Sequence, residues 1–88
     1  MIEVWYSKEF VRKYSKLEPH IKKEVKRRIE DFKDRRNHGR LEVHKLTGRM
    51  KGKSSFSVDY HNRIVFQYDT SNKNIAYLLD VGDHSIYQ

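Results

Sequence analysis

Apolar and polar positions at the start of the chain follow the pattern of a strand and then of a helix. Hydrophobic side chains alternate with other residues over 2–6, which predicts a short first strand. Ser7 is a favourable helix N-cap, and from Phe10 onward apolar residues recur at helical spacing as far as Leu17. We therefore expect a strand that leads directly into an amphipathic helix.

A second helix is predicted to begin at Pro19. Proline is tolerated at the first position of a helix, and it cannot continue the helix that precedes it. One apolar stripe then extends over 21–32, with lysine, arginine and glutamate on the other faces. Residues 37–39 are predicted to end this helix, with Gly39 as its C-cap.

The second half of the chain is predicted to contain a basic loop and three strands. Residues 40–53 include two glycines and are interpreted as a loop with a turn at each glycine. Alternating apolar residues then predict three consecutive strands, at 55–60, 63–69 and 75–81. The polar residues between these strands are typical of hairpin turns.

The order of these elements defines the expected fold class. Helices followed by consecutive strands favour an α+β fold. We predict two N-terminal helices packed on one face of a four-stranded, mainly antiparallel sheet, in one domain spanning all 88 residues. The chain has no cysteine, no signal-peptide pattern and no apolar run near the roughly 20 residues of a membrane span, so a cytoplasmic protein without a membrane partner is expected.

Positive charge is concentrated in the first part of the chain. Through residue 53 there are 17 basic and 8 acidic residues, a net charge of +9, whereas the remainder carries −2. A surface with this excess of lysine and arginine attracts polyanions. The distribution favours nucleic acid or a ribosome as partner. A merely solvated surface, an acidic protein and a membrane surface are the alternatives.

Several kinds of active site are not indicated. The five histidines form neither an H-x-x-x-H nor an H-E-x-x-H motif, and without cysteine the sequence predicts no metal site. The aspartates are scattered over predicted strands and turns, and there is no P-loop or G-x-S-x-G motif. We therefore expect neither a metal nor a small-molecule cofactor.

Metal-free cleavage of RNA by general acid–base catalysis remains possible. It requires a base for the ribose 2′-OH, an acid for the leaving 5′-oxygen and a cation for the charge on the phosphorane. Histidine exchanges protons near neutral pH, arginine grips phosphate, and tyrosine can donate a proton or stack on a base. These residue types are supplied by His44, Arg63, His84 and Tyr87.

Each candidate also has a purely structural interpretation. Arg63 could pair with Asp59 on the sheet surface, and His44 could be a solvated loop residue. The two C-terminal candidates could belong to a polar tail, and His61 is interpreted first as a turn residue. The histidines at predicted helix ends are interpreted as structural: His20 and His38.

Several segments resemble the motifs of one family of small bacterial proteins. Residues 45–52 look like its K-L-x-G-x-x-x-G stretch, residues 56–66 like its R-I/V-D-Y-R-x-R-I-x-F hairpin, and residues 80–87 like its D-I/V-G-x-H-D-x-Y ending. The opening strand followed by S-K-E-F and the basic helical hairpin are also similar, so the likeness covers nearly the whole chain. On these motifs the chain resembles the RelE/ParE superfamily of toxin–antitoxin toxins.

The resemblance implies a ribosome-dependent, metal-independent endoribonuclease that cleaves translated mRNA and is neutralised by a cognate antitoxin. In the YafQ- and YoeB-like branch a His or Glu just before the leucine-glycine motif takes part in catalysis, and His44 occupies that position. The strand arginine, terminal histidine and terminal aromatic correspond to Arg63, His84 and Tyr87. His44 would be the base and His84 or Tyr87 the acid, although the two histidine roles could be exchanged. Arg63 would stabilise the phosphate.

Binding of ribosomal RNA and mRNA is expected to involve the basic loop and lysines of the second helix. His61 falls near another functional position of the same branch. The candidate RNA-binding residues are Lys45, Arg49, Lys51, Lys53 and His61.

The chain departs from the family pattern at several positions. Ser57 stands where an arginine is usual, and His61 and Asn62 replace two basic residues near the hairpin turn. His84 and Tyr87 are three residues apart, where many relatives have four. The superfamily also contains ParE-like toxins that inhibit DNA gyrase, which usually lack the terminal His and Tyr pair. Such a gyrase inhibitor is one alternative, and a non-catalytic RNA-binding module is the other.

Overall fold

The computed structural model describes residues 1–83 and 86, and a five-stranded mixed sheet lies at its centre. The first strand is parallel to the last, and every other neighbouring pair is antiparallel. From one edge to the other the strands are β1 (Glu3–Tyr6), β5 (Ile75–Gly82), β4 (Arg63–Tyr68), β3 (Ser54–Ser57) and β2 (His44–Lys45).

Two helices, α1 (Lys8–Ser15) and α2 (Pro19–Phe32), cover one face of this sheet. Phe10 of α1 and Val25 of α2 are buried in the same hydrophobic cluster as Phe66 of β4. This confirms the predicted α+β class with both helices on one face of a mainly antiparallel sheet. In the described part of the chain neither helix is long and apolar enough to cross a membrane.

The predicted sheet of four strands is corrected to five. The additional strand, β2, lies within residues 40–53, which were predicted to form a loop. It is only two residues long, so no alternation of apolar and polar positions can reveal it. The predicted turns at Gly48 and Gly52 are confirmed, because both glycines have left-handed backbones, with φ of 64° and 91°.

The start of α1 is fixed by Ser7, as its N-cap role predicted. The Ser7 hydroxyl oxygen accepts a hydrogen bond of 3.0 Å from the Phe10 N–H, and the same hydroxyl donates to the Leu79 carbonyl at 3.0 Å. One side chain therefore satisfies an otherwise unpaired donor of the helix and joins the helix to β5.

The end of α2 was predicted wrongly. The helix stops at Phe32, and Gly39 lies well beyond it rather than at its C-cap. Asp34 competes with the helix, since its carboxylate accepts from the Arg36 N–H and caps a separate 3-10 helix over Arg35–Asn37. Hydrogen bonds from the side chain and then the backbone of Arg36 lower the pKa of Asp34 to about 2.

The carbonyl groups left at the end of α2 bind parts of the chain that follow or precede it. The Phe32 carbonyl accepts from His38 Nε2 at 2.7 Å, and the Lys33 carbonyl accepts from the Ile2 N–H at 2.8 Å. These carbonyls therefore have hydrogen-bond partners although the helix does not continue. His38 has the structural role that was predicted for it.

Strand limits agree with prediction except at the end of β3. The structure places β1, β4 and β5 within one residue of the predicted limits at each end. The strand predicted over 55–60 ends at Ser57, because the chain turns from Val58 onward.

Replacement of Ser7 by alanine is expected to lower the free energy of unfolding by about 0.5–2 kcal/mol, because an N-cap hydrogen bond is lost. Urea denaturation measures this change. The matched control is Ser71→Ala at an exposed turn position, which should stay within about 0.5 kcal/mol of wild type. Equal effects of the two substitutions would contradict the capping role.

Candidate active site

The face of the sheet that points away from the helices carries two of the predicted catalytic residues. On β4, Ile64 and Phe66 belong to the hydrophobic core. Successive side chains of a strand point to opposite faces, so Arg63, which precedes Ile64, and Val65, which lies between the two core residues, project to the other face. Residues directly opposite each other in an antiparallel pair share a face. His44 is aligned through β3 with Val65, so it lies on the same face as Arg63.

The register gives the separation of His44 and Arg63. The two residues are two strands apart across the sheet and two positions apart along it. With about 4.8 Å between strands and about 3.3 Å per residue, their Cα atoms are roughly 12 Å apart. A substrate that contacts both side chains must therefore span about this distance across the sheet.

His44 is held by a hydrogen bond through its Nδ1 atom. This atom lies 2.8 Å from the carbonyl oxygen of Glu42. A carbonyl can only accept, so Nδ1 carries the proton and donates. In the neutral ring Nε2 then has a free lone pair. The exposed His44 ring is thus in the tautomer that a general base acting through Nε2 needs.

Arg63 is half-buried and is anchored by Ser57 on the neighbouring strand. Its Nη1 group donates to the Ser57 hydroxyl oxygen, and that hydroxyl donates to Oε1 of Glu42 at 3.0 Å. A guanidinium has five N–H donors, so this one contact orients the group and uses only part of its capacity. The alternative pairing of Arg63 with Asp59 is not what the structure shows.

Asp59 instead organises the turn between β3 and β4. Its Oδ1 accepts from the backbone N–H of His61 at 2.8 Å and of Asn62 at 2.7 Å, and from the Asn62 side chain at 3.1 Å. Partial burial alone would raise the pKa of Asp59, but these hydrogen bonds outweigh it and hold the pKa below its ordinary value. The turn that carries His61 and leads into Arg63 therefore depends on an ionised carboxylate.

A cavity of about 890 Å³ opens beside this turn. Arg63 and His61 line it together with Glu42 and Ser57. Two further cations also line it: Arg28, which donates to the Val58 carbonyl and to Glu24, and Arg40, whose guanidinium is 3.6 Å from Asp31. The lining thus combines three arginines, which can bind a phosphate group, with the carboxylates of Glu42 and Asp59.

A second cavity of about 870 Å³ contains His44 and most of the predicted RNA-binding lysines. Lys45, Lys51 and Lys53 line it with Lys73, around the apolar side chains of Val43, Leu46 and Tyr68. Arg49 lies outside this lining, exposed on a 3-10 helix over Gly48–Met50.

Ion pairing distinguishes the cations of the basic loop from many of the cations on the helices. Within the described residues, the loop cations at 45, 49, 51 and 53 form no ion pair with an acidic side chain. Arg12, Arg28 and Lys33, by contrast, are each paired with an acidic residue of their own helix or just beside it. The loop cations are consequently not committed to ion pairs within the described residues, although Asp69 lines the same cavity as the loop lysines.

The structure groups the sequence-predicted residues into two neighbouring sets. Arg63 and His61 share the first cavity, and His44 shares the second with the lysines. His84 and Tyr87 lie outside the described residues, although Gly82, two positions before His84, is the register partner of Arg63. In residues 1–83 and 86, no three His, Asp or Glu side chains are grouped closely enough to hold a metal ion.

Three residues of the site were missed by the sequence analysis. Arg28 and Arg40 are two among many cations, and nothing in their spacing separates them from solvated surface residues. Glu42 gave no signal either, because its left-handed backbone and its contact with Ser57 arise from the folded loop. A lone acidic residue inside a basic segment was the single available hint.

Several solved structures share this fold. The RelBE2 toxin–antitoxin complex of Mycobacterium tuberculosis aligns with a TM-score of 0.71 at 20% identity, covering 94% of this chain and 98% of that one. The YoeB–YefM complex of Staphylococcus aureus gives 0.71 at 15% identity, covering 96% and 98%. The intact RelBE complex of E. coli gives 0.70 at 15% identity, covering 94% and 96%.

No protein-family model matches the sequence, and no curated protein matches it either. The similarity to the toxins is therefore one of structure. The chain has the fold of the RelE and YoeB toxins, which is the fold that its sequence motifs implied.

Replacement of Asp59 by alanine is expected to destabilise the protein at neutral pH by about 1–3 kcal/mol, because it leaves the turn donors without their acceptor. The folded-state pKa of Asp59 is lowered, so its contribution is complete above about pH 4 and is lost as the pH falls through the folded value. Urea denaturation at pH 7 and pH 3 should show the difference from wild type shrinking at the lower pH.

The matched control for Asp59 is Glu18→Gln, which removes an exposed carboxylate at the start of α2. It should change stability little at either pH. A difference between wild type and Asp59→Ala that is the same at both pH values would show that ionisation of Asp59 does not hold the turn.

Proposed function

We propose that this chain is the toxin of a toxin–antitoxin pair of the RelE/ParE superfamily, and that it cleaves translated mRNA on the ribosome without a metal ion. One observation carries the proposal. His44, with Nε2 free to accept a proton, and the anchored guanidinium of Arg63 lie on the same face of the sheet, the one that points away from the helices, roughly 12 Å apart at Cα.

In the proposed general acid–base mechanism each functional group takes part in one step of RNA cleavage. Nε2 of His44 removes the proton of the ribose 2′-OH, and the 2′-oxygen attacks the adjacent phosphorus. The bond from phosphorus to the 5′-oxygen breaks, which leaves a 2′,3′-cyclic phosphate on one fragment. The leaving 5′-oxygen takes a proton from a general acid. Arg63 stabilises the additional negative charge on the phosphorane oxygens.

His84 or Tyr87 is the proposed acid. This assignment is supported by the register, in which Gly82 of the last strand is opposite Arg63, and by the sequence, in which His84 follows two residues later. The hydrogen bond of His44 to the Glu42 carbonyl occupies Nδ1, so Nε2 is the atom that would exchange a proton with RNA whether His44 acts as the base or, with the histidine roles exchanged, as the acid.

The basic loop is proposed to bind ribosomal RNA and mRNA. Its cations form no ion pair in the described structure, and several of them line a cavity, which Asp69 also lines, around apolar side chains that include Tyr68. Such a surface can hold phosphates on its rim and a base against its aromatic or apolar part. His61, exposed beside Arg63, is proposed as a further RNA contact.

The proposed partner in the cell is a cognate antitoxin, and the proposed location is the cytoplasm, where translating ribosomes are found. Solved structures of the same fold include complexes of RelBE and of YoeB with YefM, which supports an antitoxin as partner. Covering the cationic cavities or the end of β5 would block the proposed site.

Inhibition of DNA gyrase is the second candidate function. A protein of the same fold from Agrobacterium tumefaciens is described as a YoeB/ParE toxin, at 14% identity and a TM-score of 0.67. The two functions are separated by their targets. Toeprinting on translating ribosomes detects mRNA cleavage, and a supercoiling assay detects gyrase inhibition.

His44→Ala and Arg63→Ala are each expected to reduce single-turnover cleavage of mRNA on programmed ribosomes by about 10²- to 10⁴-fold, while ribosome affinity changes little. The reason is that a general base or a charge-stabilising group acts mainly in the transition state. Loss of a simple RNA contact would instead weaken affinity and leave the rate at saturation nearly unchanged.

His20→Ala is the matched control, since His20 is an exposed histidine at the start of α2. It should cleave like wild type. EDTA should not stop cleavage under conditions that keep the ribosomes intact. If wild type fails to cut mRNA on ribosomes but blocks supercoiling by gyrase, the proposed function is wrong and the second candidate holds.

Neutralising the loop lysines with a Lys45→Gln, Lys51→Gln and Lys53→Gln triple variant is expected to flatten the salt dependence of ribosome binding. Each lost phosphate contact should reduce the slope of log affinity against log salt concentration by about 0.7–0.9. Binding measured between low and physiological salt gives this slope.

A control of equal charge replaces Lys8, Arg12 and Lys16 of the α1 region by glutamine. These residues follow β1, at the edge of the sheet opposite to β2, so the slope should stay close to that of wild type. If both triple variants flatten the slope equally, net charge rather than the basic loop governs binding.

A further inference from the structure

Glu42 has a strained backbone between the two proposed active-site residues. Its φ is 57°, and it is the one non-glycine residue with a positive φ in 1–83 and 86. This left-handed region is unfavourable for residues with a Cβ atom, whereas glycine adopts it freely. A glycine at position 42 would remove the strain, so the glutamate side chain is present at a conformational cost.

The loop around Glu42 is held from both sides. The preceding residue, Leu41, is buried, and its carbonyl accepts from the Ser57 N–H at 2.8 Å. The Glu42 N–H donates to the Gly39 carbonyl at 3.1 Å, and the next N–H, of Val43, donates to the His38 carbonyl at 3.0 Å. These contacts fix the backbone of residue 42 beside β3.

Glu42 touches both proposed active-site residues, one directly and one through a serine. Its backbone carbonyl accepts from His44 Nδ1 at 2.8 Å. Its carboxylate accepts from the Ser57 hydroxyl at 3.0 Å, and that hydroxyl oxygen accepts from Arg63. The imidazole is thus bonded to the backbone of Glu42, and the guanidinium is linked to the side chain of Glu42 through Ser57.

We propose that Glu42 is a positioning residue that sets the tautomer of His44 and the orientation of Arg63. The inference rests on the proposed endoribonuclease function. The carbonyl keeps the proton on Nδ1, so Nε2 faces the substrate as a base. The carboxylate orders the Ser57 hydroxyl so that its lone pair points at Arg63, which fixes the guanidinium before RNA arrives.

The charge of Glu42 argues for orientation rather than affinity as its purpose. A carboxylate near Arg63 repels the phosphate that Arg63 is proposed to bind. A residue selected only for RNA affinity would not place a negative charge there. Glutamine keeps an oxygen that can accept from Ser57 but removes the charge, whereas glycine removes the side chain and relieves the strain.

Single-turnover cleavage separates these contributions. Glu42→Gly and Ser57→Ala should each slow cleavage by about 10- to 100-fold, because a misplacement of about 1 Å can cost about 100-fold. Glu42→Gln should stay within a few-fold of wild type and bind ribosomes slightly more tightly. In the Glu42→Gly/Ser57→Ala double variant the two effects should not multiply, since both break the same chain of hydrogen bonds.

Thermal unfolding provides the structural control. Glu42→Gly should be at least as stable as wild type, because glycine tolerates the left-handed backbone. Slower cleavage in a protein of undiminished stability would support positioning. Wild-type cleavage by Glu42→Gly, or effects that multiply in the double variant, would overturn the proposal.

Nuclear magnetic resonance of the free protein tests the same claim without activity. Imidazole ¹⁵N shifts should show the Nδ1–H tautomer of His44 in wild type and in Glu42→Gly, which keeps the carbonyl. The guanidinium resonances of Arg63 should show restricted rotation in wild type and Glu42→Gln but free rotation in Glu42→Gly and Ser57→Ala. If wild type does not cleave RNA, the proposed function fails while these spectra still decide the role of Glu42. An Nε2–H tautomer or a freely rotating Arg63 in wild type would overturn it.

Discussion

The packing of aromatic rings around Phe32 is the contact on which the rest of the structure depends. This ring is fully buried at the last position of α2, and it stacks on Phe56 of β3 at a centroid distance of 4.5 Å. Phe66 of β4 meets it edge-on at 4.7 Å, and His38 stacks on it at 4.8 Å. One side chain therefore joins the helix layer, the middle of the sheet and the start of the segment that carries the candidate site.

This arrangement separates the two faces of the sheet by chemistry. The face toward the helices holds the large apolar side chains, which pack against the apolar stripes of the helices. The opposite face carries hydroxyl, imidazole and guanidinium groups around the buried Val65. The bond from His38 to the Phe32 carbonyl then turns the chain back toward β3, which places Leu41 in the core and Glu42 at the edge of this opposite face. The position of Glu42 is set by its two neighbours, because Leu41 is bonded to Ser57 and Val43 is bonded to His38 through their backbones.

The sequence predicts most of the fold because the periodicities are strong. Alternation over β4 and β5 and the stripe on α2 located these elements, and Ser7 and Pro19 marked helix starts by rules of local chemistry. The wrong predictions concern features that the periodicity of apolar residues does not report. The end of α2 was decided by the Asp34 carboxylate, and β2 is too short to have a period.

The candidate site was only partly predictable for a related reason. Residue type alone indicated His44 and Arg63, since few other side chains can move a proton or grip a phosphate. Their common face follows from the register through β3, which sequence spacing does not give. Beyond its being a lone acidic residue in a basic segment, Glu42 could not be predicted, because its proposed importance lies in a backbone angle and in a contact across 15 residues of sequence.

The parallel pairing of β1 with β5 has a consequence for synthesis of the chain. Residues 3–6 pair with residues 75–78, so the first strand to be synthesised cannot join the sheet until the last strand has been made. At about 5–20 residues per second the ribosome needs roughly 4–14 s to make the intervening segment. Until then the apolar stripes of both helices have no completed sheet to cover them. The sheet that carries the proposed active site is therefore completed only after its last strand has been made.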